Sequence, residues 1–139
     1  MIQRKQTLWL LLSTICGGLS FKLPFYNGTV KAGTVGIKGA ELTATDNIWL
    51  LTLTIATIAV ALTAIFLYKN RKQQLILTFV GLVLSIGLAA VYYLYTQDFE
   101  SGGIALTALL TISTIVGFFF ALKGIRNDQK LIRDLNRLR

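Results

Sequence analysis

The sequence contains no histidine, one cysteine, one proline and only six acidic residues among its 139 residues. Without histidine the chain has no imidazole metal ligand and no histidine general base. One cysteine cannot form a disulfide within the chain, and the apolar run around Cys16 predicts a small buried side chain there. Charged residues make up 14% of the chain, whereas soluble domains carry roughly 25%. These shortages point away from a soluble domain and from histidine-based chemistry.

Apolar residues make up 54% of the chain and are concentrated in four long segments. Residues 48–68 are the clearest segment, because they contain no charge, glycine or proline. As a helix they would extend roughly 31 Å, close to the ~30 Å hydrocarbon core of a bilayer. Residues 7–26, 75–96 and 103–122 have similar character, and Lys22 is near enough to the end of the first segment to reach the interface. No small-residue cleavage site follows the first apolar run, so we expect it to be retained as a span rather than removed as a signal peptide.

The basic residues indicate how the four segments are oriented. Eleven of the fourteen flank one side of the predicted membrane, which the positive-inside rule makes cytoplasmic. They are Arg4, Lys5, Lys69, Arg71, Lys72, Lys123, Arg126, Lys130, Arg133, Arg137 and Arg139. We therefore predict an all-α, multi-pass protein of the bacterial inner membrane. Residues 1–122 form a four-transmembrane-helix bundle with both termini in the cytoplasm.

The two outer connections differ in length. Residues 27–46 form the predicted periplasmic loop, in which residues 29–31 and 34–38 alternate weakly and favour a small hairpin. Residues 97–102 are short and contain Asp98 and Glu100, which predicts an acidic turn. Short connections make the helices that they join antiparallel neighbours.

Small residues recur at helical spacing in three of the segments. Such residues allow transmembrane helices to approach closely, because burial of apolar surface alone gives little preference for one apolar neighbour over another in lipid. The predicted packing faces are Gly81, Ser85 and Ala89 in the third segment, Ser113, Gly117 and Ala121 in the fourth, and Ala56, Ala59 and Thr63 in the second. These faces either join the helices of one bundle or leave one face for another membrane subunit.

The segments lack the residues that transport and catalysis usually require. Transporters and proton relays usually carry an ionisable residue inside the membrane, and residues 48–68, 75–96 and 103–122 contain no Asp, Glu, Lys or Arg. No base lies near Ser13, Ser85 or Ser113 in the sequence, so no nucleophile–base pair is evident. We therefore predict no enzyme activity, no cofactor and no metal site. A homo-oligomeric transporter or channel is the alternative, with threonines as the only groups to line its path: Thr52 and Thr63, or Thr107, Thr111 and Thr114.

Residues 123–139 combine apolar residues at helical spacing with a basic face, which predicts an amphipathic cytoplasmic tail helix. The predicted docking residues are Arg126, Lys130, Arg133, Arg137 and Arg139, together with Arg4 on the same side of the membrane. Arginine suits phosphate from lipid or from RNA. The tail is therefore open to anionic lipid head groups, a protein partner or ribosomal RNA, whereas other nucleic acid is not expected.

Both ends of the chain resemble one known family. The opening Met-Ile-Gln-Arg-Lys-Gln-Thr-Leu-Trp-Leu and the close Asp-Gln-Lys-Leu-Ile-Arg-Asp-Leu-Asn-Arg-Leu-Arg at residues 128–139 are similar to those of small four-span membrane proteins of Bacteroidota, known only as a domain of unknown function. Gln129 and Asn136 stand where Glu and Asp are usual in that family. The resemblance implies an inner-membrane protein of a Gram-negative cell, and it implies no activity.

Taken together, these patterns favour a non-catalytic accessory or scaffold subunit of a larger inner-membrane protein complex. The expected contacts are a small-residue transmembrane face and the basic tail.

Overall fold

The computed structural model describes residues 5–30, 41–67 and 69–137. Most of these residues are helical, and three short strands form one sheet. The elements in chain order are α1 (Lys5–Leu19), β1 (Tyr26–Val30), β2 (Glu41–Leu42), α2 (Ile48–Phe66), α3 (Arg71–Thr96), β3 (Phe99–Ile104), a 3-10 turn (Leu106–Ala108) and α4 (Leu109–Arg137).

The four helices contact one another in a closed order, since α1 and α3 each pack against both α2 and α4. Contacts between helix ends show that neighbours run antiparallel. Gln74 at the start of α3 donates a hydrogen bond to the carbonyl of Ala64 near the end of α2, at 2.9 Å. Gln129 near the end of α4 donates to the carbonyl of Arg71, the first residue of α3, at 3.3 Å. The start of α1, the α2–α3 connection and the last part of α4 thus share one end, called the basic end, and the strands occupy the other, called the sheet end.

Three of the helical segments are long and apolar enough to cross a membrane, namely Ile48–Phe66, Arg71–Thr96 and Leu106–Asp134. Helices of this kind are typical of a membrane protein. Two of them match the predicted spans at residues 48–68 and 75–96 closely. Helix α1 has 15 residues, or about 22 Å of helix, and is shorter than the span predicted at residues 7–26.

Helix α1 ends at Leu19 because the following residues make other hydrogen bonds. The amides of Lys22 and Leu23 donate to the carbonyl of Leu19, at 3.1 and 3.0 Å, and close the helix with a turn. Pro24 has no amide hydrogen with which to continue a helix. Phe25 then donates to the carbonyl of Leu42, at 2.8 Å, and so joins the sheet. The predicted span was too long because the apolar pattern continues to Phe25 and Tyr26, which belong to the sheet end and not to the helix.

The structure is mostly helical, as predicted, and its three-stranded sheet is larger than the small hairpin expected in the outer loop. Its strands are antiparallel in the order β2-β1-β3. Tyr26 of β1 pairs with Leu42 on one side and with Ile104 on the other. Residues 97–102, predicted as an acidic turn, also contain the first residues of β3. The fourth apolar segment, predicted to be helical from residue 103, begins with the last two residues of that strand. The hairpin predicted at residues 29–31 and 34–38 falls largely on residues 31–40, which lie outside the described residues.

Buried apolar side chains form one cluster towards each end of the helices. At the sheet end, the ring of Phe25 stacks on the ring of Tyr92 with centroids 4.5 Å apart. The buried members of this cluster are Leu42, Ala44, Leu50, Leu88, Tyr92 and Phe99. The second cluster combines large and small residues, namely Leu10, Ala61, Ala64, Phe118 and Ala121. The small alanines make room for Leu10 and Phe118, which are both fully buried.

Helix α4 continues through Gly124 to Arg137 as one helix. Gly124 faces α1, because a Cβ added there would lie 3.2 Å from Cβ of Gln6. Ile125 is also buried. The first turn of the predicted tail at residues 123–139 is thus packed against other helices, and the exposed part of α4 begins further along.

Candidate functional site

The predicted small-residue faces of α3 and α4 lie mostly inside the protein. Gly81 packs against the ring of Phe118, which a Cβ on Gly81 would overlap. Gly117 packs against α1, where a Cβ would overlap Oγ of Ser13 and lie 2.9 Å from the carbonyl oxygen of Trp9. Ser85 and Ala121 are also buried, while Ala89 and Ser113 are half-buried. These residues hold the helices of one chain together, so a partner would need another face.

Helix α2 leaves a small-residue face on the outside. Thr52, Ala59 and Thr63 are exposed and Ala56 is half-buried, and their spacing puts them on one side of the helix. The hydroxyl of Thr52 donates to the carbonyl of Ile48 at 2.7 Å, and that of Thr63 to the carbonyl of Ala59 at 2.9 Å. Because both hydroxyls bond within their own helix, this face can lie in lipid or against another helix.

The described basic docking residues form an exposed set on the last part of α4. Arg126, Lys130 and Arg133 are all exposed. Leu131 and Ile132 beside them are 62% and 41% exposed, so basic and apolar groups are both available on this part of the helix. Arg4 and Arg139 lie outside the described residues, and only the backbone of Arg137 is described.

Polar residues at the basic end were missed by the sequence analysis. The side chain of Gln6 is 3% exposed and that of Gln74 is fully buried. The Oε1 atom of each is buried and has no hydrogen-bond partner among the described residues. Nη1 of Arg71 donates to the carbonyl of Asp128 at 3.3 Å and so ties α3 to α4. The sequence signal for these buried polar residues was a glutamine directly before each of two apolar runs, at Gln6 and Gln74. A glutamine at that place usually marks only the boundary of a helix.

Serine and threonine hydroxyls inside the helices mostly bond to backbone carbonyls. Ser13 donates to the carbonyl of Thr114 in α4 at 3.2 Å, and Ser85 donates to that of Leu82 at 2.8 Å. In the candidate threonine sets, Thr111 and Thr114 are buried, whereas Thr52 and Thr63 face outwards. Among the described residues, no three His, Cys, Asp or Glu side chains are grouped as they would be in a metal site.

Comparison with known proteins gives one match. No curated protein and no solved structure matches the chain. A family model described as a domain of unknown function (DUF4293) matches residues 2–138, which is nearly the whole chain. This agrees with the resemblance at the two ends of the sequence. The chain belongs to the DUF4293 family of unknown function.

Proposed function

We propose that this protein is a non-catalytic accessory or scaffold subunit of a larger inner-membrane complex. It contacts its partner through the outer face of α2, formed by Thr52, Ala56, Ala59 and Thr63, and through the basic end. The observation that carries the proposal is the exposure of the α2 face, since the comparable faces of α3 and α4 are used within the chain.

The proposal places four spans in the membrane with both termini in the cytoplasm. Helix α1 counts as the first span because it packs against both α2 and α4, which are long enough to cross. The short helix is completed by the turn and strand residues that follow it at the sheet end. The basic residues then lie at the cytoplasmic surface, where the positive-inside rule expects them, and the sheet lies in the periplasm.

Cysteine labelling in spheroplasts tests this orientation. We expect a membrane-impermeant maleimide to label Glu41→Cys without opening the membrane, and Lys130→Cys only after permeabilisation. Both positions are exposed and lie at opposite ends of the helices. Cys16 is buried and is replaced by serine in both variants, so that each carries one thiol. Labelling of Lys130→Cys in sealed spheroplasts would contradict the proposed orientation.

The α2 face suits a partner helix for a physical reason. Association of helices in lipid depends on close packing and on interhelical hydrogen bonds, because lipid tails are as apolar as the side chains. Ala59 and the two flanking threonines present little bulk, so a second helix can approach the α2 backbone there. A single leucine at this position would hold the two helices apart.

Replacing Ala59 by leucine tests the partner face. In mild detergent we expect the wild-type chain to migrate with a partner, and Ala59→Leu to lose about 90% of that association, since a loss of roughly 1.4 kcal/mol weakens binding tenfold. The measurement is the migration of the tagged chain on a native gel, with quantification of the copurified protein. Ala90→Leu is the matched control, because Ala90 is an exposed alanine on α3.

Three results would contradict the subunit proposal. The wild-type chain could run as a clean monomer, it could run as a homo-oligomer, or both leucine variants could behave alike. A homo-oligomer that conducts ions or solutes in liposomes would favour the transporter alternative instead.

A further inference from the structure

A cleft of about 470 Å³ opens at the basic end, between the start of α1, the start of α3 and the last part of α4. Its lining comes from three elements that are far apart in the sequence. The lining includes Lys5, Gln6, Arg71, Asp128, Leu131 and Ile132. The cleft has no local sequence signal, because its residues come together only when the three helices pack.

Positive charge predominates around the cleft. Lys5 and Arg71 line it together with one carboxylate, that of Asp128. Arg71 also lines a shallower depression with Lys69 and Lys72, so the positive surface continues from the cleft onto the α2–α3 connection. Across both depressions four cationic side chains stand against one carboxylate. An anionic ligand is therefore favoured over a neutral or cationic one.

Arg71 is held in place by two hydrogen bonds to α4. Its Nη1 donates to the carbonyl of Asp128, and its own carbonyl accepts from Nε2 of Gln129, both at 3.3 Å. A guanidinium has five N–H donors in a fixed plane, so donors remain for a phosphate after this contact. Positioning the side chain in advance lowers the entropy lost when a ligand binds.

Gln6 contributes an unpaired polar atom to the same place. Its side chain lines the cleft and is 3% exposed, and its Oε1 has no hydrogen-bond partner among the described residues. An unpaired buried acceptor costs free energy. Because this oxygen is itself buried, it adds polar character behind the cleft lining and is not assigned as a contact of the ligand.

The position of the cleft relative to the apolar helices favours a lipid. Arg71 lies one turn before Leu75, where the uncharged part of α3 begins, so its guanidinium lies near the depth of lipid phosphates. Leu131 and Ile132 add exposed apolar surface to the lining. A glycerophospholipid combines a phosphate with apolar groups, which suits a lining of cationic and apolar side chains.

We propose that this cleft binds the head group of one anionic phospholipid, with Arg71 and Lys5 on the phosphate. The proposal shares the membrane orientation of the proposed function and does not require the partner complex. A specific site of this kind differs from general attraction of the basic tail to an anionic surface, because it predicts one lipid per chain and a dependence on Arg71.

Native mass spectrometry of the purified chain tests the proposal with dioleoyl phosphatidylglycerol and dioleoyl phosphatidylcholine as probes. We expect the wild-type chain to retain one phosphatidylglycerol in preference to phosphatidylcholine. Arg71→Gln should lower the retained phosphatidylglycerol about tenfold, because a charge-assisted hydrogen-bond pair is lost. Arg71→Lys should retain an intermediate amount. Lys22→Gln is the control: it removes one positive charge from an exposed position at the sheet end, outside the cleft lining, and should leave retention unchanged.

Two further measurements are needed. Thermal unfolding distinguishes a loss of lipid binding from a loss of folding, and competition with inorganic phosphate distinguishes a lipid site from a site for free phosphate. Arg71→Gln loses the hydrogen bond to Asp128, so its unfolding temperature is compared with and without lipid: added phosphatidylglycerol should raise that temperature for the wild type and not for Arg71→Gln. Millimolar inorganic phosphate should leave the bound lipid in place. The proposal is overturned if phosphate displaces the lipid, if phosphatidylcholine is retained equally, or if Lys22→Gln and Arg71→Gln weaken retention alike. Each result is read on the purified chain, so it is independent of whether a partner copurifies.

Discussion

Replacing Gly117 by alanine is expected to destabilise the packing of α1 against α4 by about 1–3 kcal/mol, the usual cost of adding bulk to a packed interior. A Cβ at this position would overlap Oγ of Ser13 and lie 2.9 Å from the backbone oxygen of Trp9. A side-chain atom can rotate away, but a backbone oxygen moves only if the whole helix shifts. The same shift would weaken the hydrogen bond from Ser13 to the carbonyl of Thr114.

Tryptophan fluorescence during thermal unfolding in detergent measures this effect. The ring of Trp9 stacks on the ring of Phe120, with centroids 4.8 Å apart, so its emission reports the α1–α4 contact. Trp49 is exposed and is replaced by phenylalanine to leave one reporter. We expect a clearly lower unfolding midpoint for Gly117→Ala.

Gly87→Ala is the matched control for this prediction. Gly87 lies within α3, and a Cβ added there would meet no atom of the described residues within 4 Å. Alanine is a better helix former than glycine by about 1 kcal/mol, so this variant should be as stable as the wild type or slightly more stable. Equal effects of the two substitutions would show that close approach at Gly117 does not matter.

The sequence predicted the elements that depend on local pattern. The start of α2 and the end of α3 coincide with the limits of uncharged apolar runs, and the closely packed Gly81 and Gly117 lie among small residues at helical spacing. Such signals lie within one helix, so they can be read without knowing what the helix packs against.

The sequence did not predict elements that depend on distant partners, because their signals are not contained within one helix or strand. Strand β3 pairs with β1, more than sixty residues earlier in the chain, and its Gly102 and Gly103 look like a turn when read alone. The cleft at the basic end also depends on three distant segments. Gln6, Arg71 and Asp128 have no common sequence pattern, and only the packing of α1 and α3 against the antiparallel α4 brings them together.

Replacing Gly28 by valine is expected to separate β1 from β3 while the helices stay folded. Gly28 pairs directly with Gly102 across the two strands. A Cβ on Gly28 would overlap the backbone oxygen of Ser101 and lie 2.8 Å from Cα of Gly102. Both neighbours are backbone atoms, so no side-chain rotation can relieve the contact. Valine favours strands in general, which makes the loss of this strand pair a specific consequence of the close approach.

Hydrogen–deuterium exchange resolves this effect by segment. We expect amides of residues 99–105 to exchange roughly 10–100 times faster in Gly28→Val, as a local loss of about 1.4–2.8 kcal/mol predicts. Far-UV circular dichroism should change little, because the helices have their own packing. Gly103→Val is the matched control, since a Cβ on Gly103 meets no described atom within 4 Å.

The comparison of the two valine variants also tests how the sheet end is stabilised. Strand β1 holds the chain after α1 against β2, which leads into α2, and against β3, which follows α3. If this pairing fixes the ends of the helices, Gly28→Val should also speed exchange at the amide of Ala105, which donates to the carbonyl of Phe25 at 3.0 Å. Exchange as slow in Gly28→Val as in Gly103→Val would mean that β1 and β3 tolerate a side chain between them, and that the helices alone hold this end together.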